Sequence, residues 1–186
     1  MNDILSASSP LGKRLLNEGF NPSGKELSRS EALKWTISTH HLDIMRQLIA
    51  DGTGVNAEDK DSDRPIHDAA RIGACEEMRV LYEAGATIDI VNKFNVTPLH
   101  RAALGNEEAV QLLVDTLGAQ VDPRDCDGWT PFVTAATHNY CETLKLLRGL
   151  GADVQRETMR VILLYTMPVF VAMSSLPSFW SSWAFA

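Results

Sequence analysis

Asp59-Lys60-Asp61-Ser62-Asp63 sets three carboxylates at alternate positions, the pattern that opens a calcium-binding loop. Such a loop needs a glycine at its sixth place for the sharp turn and a bidentate glutamate at its twelfth. Those places hold Arg64 and Ala70, so calcium is not expected, and the stretch reads as a hairpin tip. The neighbours His40 and His41 point in different directions on a helix, whereas a helical zinc pair sits four residues apart. His67 and His100 each stand two residues after a proline, at helix starts, where a hydrogen-bonded structural role is expected. No Gly-x-Ser-x-Gly elbow, phosphate loop or Cys-x-x-Cys pair occurs. No catalytic, cofactor-binding or metal-ligating residue is assigned, and the chain is not expected to be an enzyme.

Composition narrows the class further. Apolar residues make up 45% and charged residues 22% of the 186, ordinary values for a folded chain. A formal net charge of −7 and the lack of a basic stripe argue against nucleic acid, whose phosphates need clustered Lys and Arg. The acidic balance slightly favours basic partners. Met1 to Gly12 has no apolar run after its first charges, so a secretory signal is not expected. Three cysteines, Cys75, Cys126 and Cys141, leave at least one unpaired, which suits a reducing, cytoplasmic setting.

The elements that must position these residues follow one period. Gly19, Gly52, Gly85, Gly118 and Gly151 recur every 33 residues. Pro65, Pro98 and Pro131 keep that spacing. So do Val55, Ile88, Val121 and Val154, the row Leu33, Ile66, Leu99 and Phe132, and the row Ile37, Ala70, Ala103 and Ala136. Within the period from Thr97, the threonine caps a helix and Pro98 occupies its first position. Ala102 and Ala103 allow a neighbouring helix to approach closely. Ala109, Val110, Leu112 and Leu113 give a second helix its apolar face. Gly118 ends that helix in the left-handed conformation, and Asp127-Gly128 signals a hairpin. Repeat three drops a residue near Gly105 and regains one at Thr116-Leu117.

Thr97-Pro98-Leu99-His100-x-Ala102-Ala103, then Leu112-Leu113, then Gly118-Ala119 resembles the ankyrin repeat. The resemblance covers residues 31–155 as four repeats, 31–63, 64–96, 97–129 and 130–155. Residues 1–30 precede them as a capping half-repeat in which Leu11, Leu15, Leu16 and Gly19 fit a lone second helix. The resemblance implies an all-α solenoid of stacked antiparallel helix pairs joined by β-hairpin-like loops. It departs from the pattern at Glu31 and Arg64, where repeats one and two lack the threonine cap, and at Val133, where repeat four lacks the histidine. The outer repeats are therefore expected to be less stable than the third.

The same resemblance implies a scaffold or adaptor that binds a partner protein on a concave face, without cofactor, as a monomer. That face is built from hairpin tips and first helices. The positions it assigns to partner binding are Trp35, Asp68, Arg71, Phe94, Arg101, Leu104, Trp129 and His138, with the aromatic residues and arginines as the stronger anchors. For Trp129, packing on the next hairpin is an equal alternative. Cys75 and Cys141 occupy one repeat position two units apart, beyond disulfide reach.

Residues 156–186 break the pattern. No charged residue occurs from Val161 to Ala186. The run is long enough to span a membrane, with Arg156 and Arg160 at its near end and Trp180 and Trp183 suited to an interface. Pro168, Pro177 and several serines make it a weak helix. A membrane anchor, packing against repeat four and a segment under no selection all remain open.

Overall fold

The computed structural model describes residues 4–22 and 27–154. The chain divides into two units, Met1–Ala152 and Asp153–Ala186, and every element named here belongs to the first. The questions raised by residues 156–186 lie outside the described residues.

Two short strands, β1 (Ile4–Leu5) and β2 (Leu27–Ser28), pair antiparallel, Ile4 opposite Ser28 and Leu5 opposite Leu27. Between them lies α1 (Pro10–Asn17). Helix pairs follow: α2 (Arg29–Thr39) with α3 (Leu42–Ala50), α4 (Pro65–Ile72) with α5 (Cys75–Glu83), α6 (Pro98–Ala102) with α7 (Glu107–Gln111), and α8 (Pro131–Thr137) with α9 (Cys141–Gly149). First helices stack in the order α2, α4, α6, α8, and second helices touch along α3 to α5 and α7 to α9. The array is all-α, as the periodicity requires, with one small two-stranded sheet among the described residues.

The core consists of rows that repeat at the period. Leu33, Ile66, Leu99 and Phe132 are buried beneath the first helices, and Leu48, Leu81, Leu113 and Leu147 beneath the second. Leu113 is one residue short of strict register because repeat three carries its compensating length changes. The positive-φ turn falls at Gly105, whereas repeat two turns at Gly73. The missing residue is regained in a π-helical turn at Leu112–Thr116. There the amide of Ala119 bonds the carbonyl of Leu113, whereas Ala86 bonds Leu81 and Ala152 bonds Leu147. One extra residue is thus absorbed inside the helix.

Repeat one is capped after all. Ser28 accepts the Glu31 amide at 3.3 Å, so α2 begins at Arg29 rather than after Glu31. The cap has moved three residues toward the N-terminus, where no in-register comparison would find it. Repeat two has no side-chain cap bond from Arg64. The Arg64 guanidinium instead bonds the carbonyls of Ser62 and Val91, each at 2.8 Å, tying its own hairpin to the next.

The N-terminal segment completes the first repeat. Leu5, Leu11, Leu15, Phe20 and Leu27 form one cluster with Ala32, Ile44 and Leu48, with Trp35 packed against it. Thr53 marks a weak point. It occupies the place held by Ala86, Ala119 and Ala152 in the other repeats, is 5% exposed, and its hydroxyl finds no hydrogen-bond partner among the described residues. Burying an unmet hydroxyl costs about 1–3 kcal/mol. Thr53→Ala is therefore expected to raise unfolding stability by about 1 kcal/mol in urea titration. An unchanged midpoint would mean that the hydroxyl is satisfied in solution.

Candidate partner-binding face

The hairpin tips share one internal architecture, built around Asp59, Asn92 and Asp125, again 33 residues apart. The Asp59 Oδ1 accepts the amides of Asp61 and Asp63. The Asn92 Oδ1 accepts those of Phe94 and Val96, and the Asp125 Oδ1 those of Asp127 and Trp129. A short polar side chain thus replaces the backbone in closing each turn. The fourth residue of each tip, Ser62, Asn95 or Gly128, has positive φ. Successive tips join through the Lys93 amide to the Asp61 carbonyl at 3.2 Å and the Cys126 amide to the Phe94 carbonyl at 2.9 Å. Side chains on the tips are therefore carried on a hydrogen-bonded ladder rather than on free loops.

The acidic stretch whose spacing resembles the opening of a calcium loop is one of these tips. The Asp59 Oδ2 accepts from the Lys34 Nζ at 2.7 Å, Asp61 from the Lys93 Nζ at 2.5 Å, and Asp63 from the Arg101 Nη2 at 2.8 Å. Burial opposes ionisation of Asp59, but Lys34 and the amides of Asp61 and Asp63 outweigh it and hold its carboxyl below the usual range.

Histidines fasten each tip to the helix before it. The His67 Nδ1 accepts the Arg64 amide at 3.2 Å, and the His100 Nδ1 accepts the Thr97 amide at 3.2 Å. An amide can only donate, so Nδ1 is unprotonated and Nε2 carries the hydrogen. The His67 Nε2 then donates to the Val96 carbonyl at 3.0 Å, and the His100 Nε2 to the Trp129 carbonyl at 2.9 Å. Each neutral imidazole ties the first residue of its repeat to the last residue of the same repeat, closing the 33-residue unit. Val133 takes this place in repeat four, and Lys34, paired with Asp59 and Asp68, takes it in repeat one.

Burial pushes both imidazoles below the ordinary histidine value of 6.5, outweighing the carbonyls that favour the charged form. A native value below the unfolded one means that unfolding takes up protons on acidification. The histidine contribution is complete above pH 6.5 and is lost as pH falls through the lowered native values. Stability is thus expected to be level from neutral to mildly alkaline pH and to decline below about 6.5. The carboxyls of Asp59 and Asp43, both lowered from 3.8, withdraw their contributions only in a separate, more acidic window. Urea midpoints measured across pH check this, and a midpoint that stays flat down to pH 4.5 would contradict it.

The assigned residues fall into two groups. Phe94 is 46% exposed, with the Lys93 Nζ 5.0 Å from its ring centre. Arg71 is exposed, Leu104 and Trp129 are half-buried, and His138 is exposed. The His138 ring stacks on Tyr140 at 6.1 Å, and its Nδ1 meets the Thr134 carbonyl at 3.0 Å. The other group is engaged within the chain. Trp35 stacks on His41 at 4.9 Å and meets Phe20 at 5.7 Å, so much of its ring is spent on the N-terminal cap. Asp68 lies between Lys34 and Arg71, and Arg101 is paired with Asp63. Among the described residues, no cluster of three or more His, Cys, Asp or Glu is placed to hold a metal ion.

A helix-pair unit of 33 residues, closed on itself by a buried histidine in repeats two and three and joined to its neighbours through laddered tips, defines a repeat solenoid. The family profile for ankyrin repeats, in three copies, matches residues 66–158, half of the chain. This protein belongs to the ankyrin repeat family. It is similar to neurogenic locus notch homolog protein 1 of Xenopus tropicalis, 28% identical over 125 residues, which cover 64% of this chain and 5% of that protein. Protein phosphatase 1 regulatory subunit 27 of Mus musculus is 36% identical over 88 residues, 46% of this chain and 56% of the relative. Probable 26S proteasome regulatory subunit p28 of Saccharomyces cerevisiae is 27% identical over 154 residues, 62% of this chain and 68% of the relative. The chain thus spans a small fraction of the long relative and more than half of the two short ones.

Proposed function

We propose that this chain is a non-catalytic scaffold or adaptor that holds a partner protein on the face made by its tips and first helices. Ankyrin repeats generally mediate protein–protein interaction, and two of the relatives are named as regulatory subunits. The observation that carries the reading is Phe94, a large apolar ring left 46% exposed on a tip fixed by its own backbone ladder. An aromatic group held rigid and half-solvated is the usual form of an interface anchor. The proposal includes a monomer in a reducing, cytoplasmic setting, supported by three free thiols. Affinity capture with wild type and an Arg71→Ala/Phe94→Ala variant tests it. Proteins retained by wild type and lost with the variant support the face, whereas identical capture by both removes it.

A membrane-tethered version is favoured by one feature, the charge-free run 161–186. Among the described residues no helix is long and apolar enough to cross a membrane, and the run lies outside them. Comparing vesicle flotation of the full chain with a version ending at Gln155 decides it: equal flotation rejects the tether.

A further inference from the structure

The charges of this face lie at two depths. On its first two repeats the carboxylates sit low, with side chains 13% exposed for Asp63, 25% for Asp68, 33% for Asp59 and 38% for Asp61, while Asp127 on the third tip is exposed. Each of the low carboxylates is already occupied. Asp59 accepts two amides and Lys34, and Asp63 accepts the Asn92 Nδ2 and the Arg101 Nη2, each at 2.8 Å. Asp61 holds Lys93, and Asp68 lies between Lys34 and Arg71. Lys34 and Arg101, 23% and 28% exposed, lie at the same depth, whereas three other cations are more open. Arg71 is 52% and Lys93 45% exposed at the side chain, and Lys60 is exposed at the neighbouring tip. Arg71 reaches Asp68 only at 3.7 Å, beyond hydrogen-bond distance, so its guanidinium keeps donors for a ligand.

An arriving ammonium group therefore meets carboxylates that already face a cation of this chain and would have to share them. An arriving carboxylate meets N–H donors with capacity to spare, next to the exposed rings and methyls of Phe94 and Val91, 46% and 43% exposed. Charges are screened within about 8 Å in physiological salt, so this local layering governs recognition more than the chain's net charge of −7.

We infer that the face takes an extended acidic segment of a partner protein, its carboxylates on Lys60, Arg71 and Lys93 and one apolar side chain against Phe94. The inference rests on the protein-interaction reading and names the partner's chemistry. Random peptides displayed on phage, selected on the full chain, test it. The selected sequences are expected to be enriched in Asp and Glu around an aromatic or aliphatic residue. A synthetic peptide of that sequence should bind about tenfold more weakly to Lys60→Glu/Arg71→Glu and to Phe94→Ala, while the unfolding midpoints of both variants stay near that of wild type. Enrichment of basic or uncharged sequences overturns the inference, as does an acidic peptide indifferent to the charge reversal. In both cases a loss caused by Phe94→Ala still upholds the interaction face. Peptides indifferent to every substitution, or no enrichment at all, overturn the face and the acidic partner together.

Discussion

His100→Ala is expected to lower the unfolding free energy by about 3 kcal/mol. The imidazole is 2% exposed and serves two backbone groups at once, the Thr97 amide and the Trp129 carbonyl. Removing it leaves both ends of repeat three without this partner, each costing about 1–3 kcal/mol when buried, and opens a cavity as well. The two groups are the first and last residues of repeat three, so a loss centred on that repeat should also broaden the transition as it falls out of step with its neighbours. His138→Ala is the matched control, because that imidazole is exposed and its Nδ1 bonds residues one and four positions away in its own helix region. It should change stability by less than about 0.5 kcal/mol. Urea titration of both variants separates the cases. A His100 effect below about 1 kcal/mol would show that water replaces the imidazole without loss.

Gly85→Val comes next in size, at about 2–3 kcal/mol. Gly85 has φ of 90° and ends α5, its amide bonded to the Tyr82 carbonyl at 2.9 Å. A Cβ placed there meets nothing within 4 Å, so the cost of adding one is conformational. That makes the site a clean measure of backbone strain: Gly85→Ala should cost less, about 1–2 kcal/mol, because it lacks the β-branch. Equal losses for the two variants would point to something other than φ. A neutral valine would remove the cap assignment.

The fold was legible because several residue classes obeyed one period at once. Proline, glycine and the apolar rows are each dictated by a different requirement, namely helix entry, helix exit and core, so their agreement located whole repeats. Features off the register were not legible. Ser28 caps a helix three residues before the expected place, and only the extended course of α2 reveals it. The ring of Phe20, which engages Trp35, belongs to a cap with no repeat to compare against. Asp59, Asn92 and Asp125 did carry a signal at the period, and the stretch from Asp59 reads as a hairpin tip, but residue types alone do not reveal that one side-chain oxygen closes each turn. At the candidate face, the sequence could place Phe94 and Arg71 on tips and first helices. It could not show that Asp61, Asp63 and Asp68 are already paired, because those partners, Lys93, Arg101 and Lys34, come from other repeats.

The π-helical turn at Leu112–Thr116 separates two kinds of freedom in the chain. Repeat three loses a residue before its second helix and gains one within it, yet Thr97 and Gly118 stay 21 residues apart, as Arg64 and Gly85 do. Neighbouring units touch a repeat through its ends and its buried rows, so its interior length is a local matter. Paired insertions and deletions can therefore accumulate inside one unit during descent without disturbing the units on either side, while an unpaired one would shift every boundary after it.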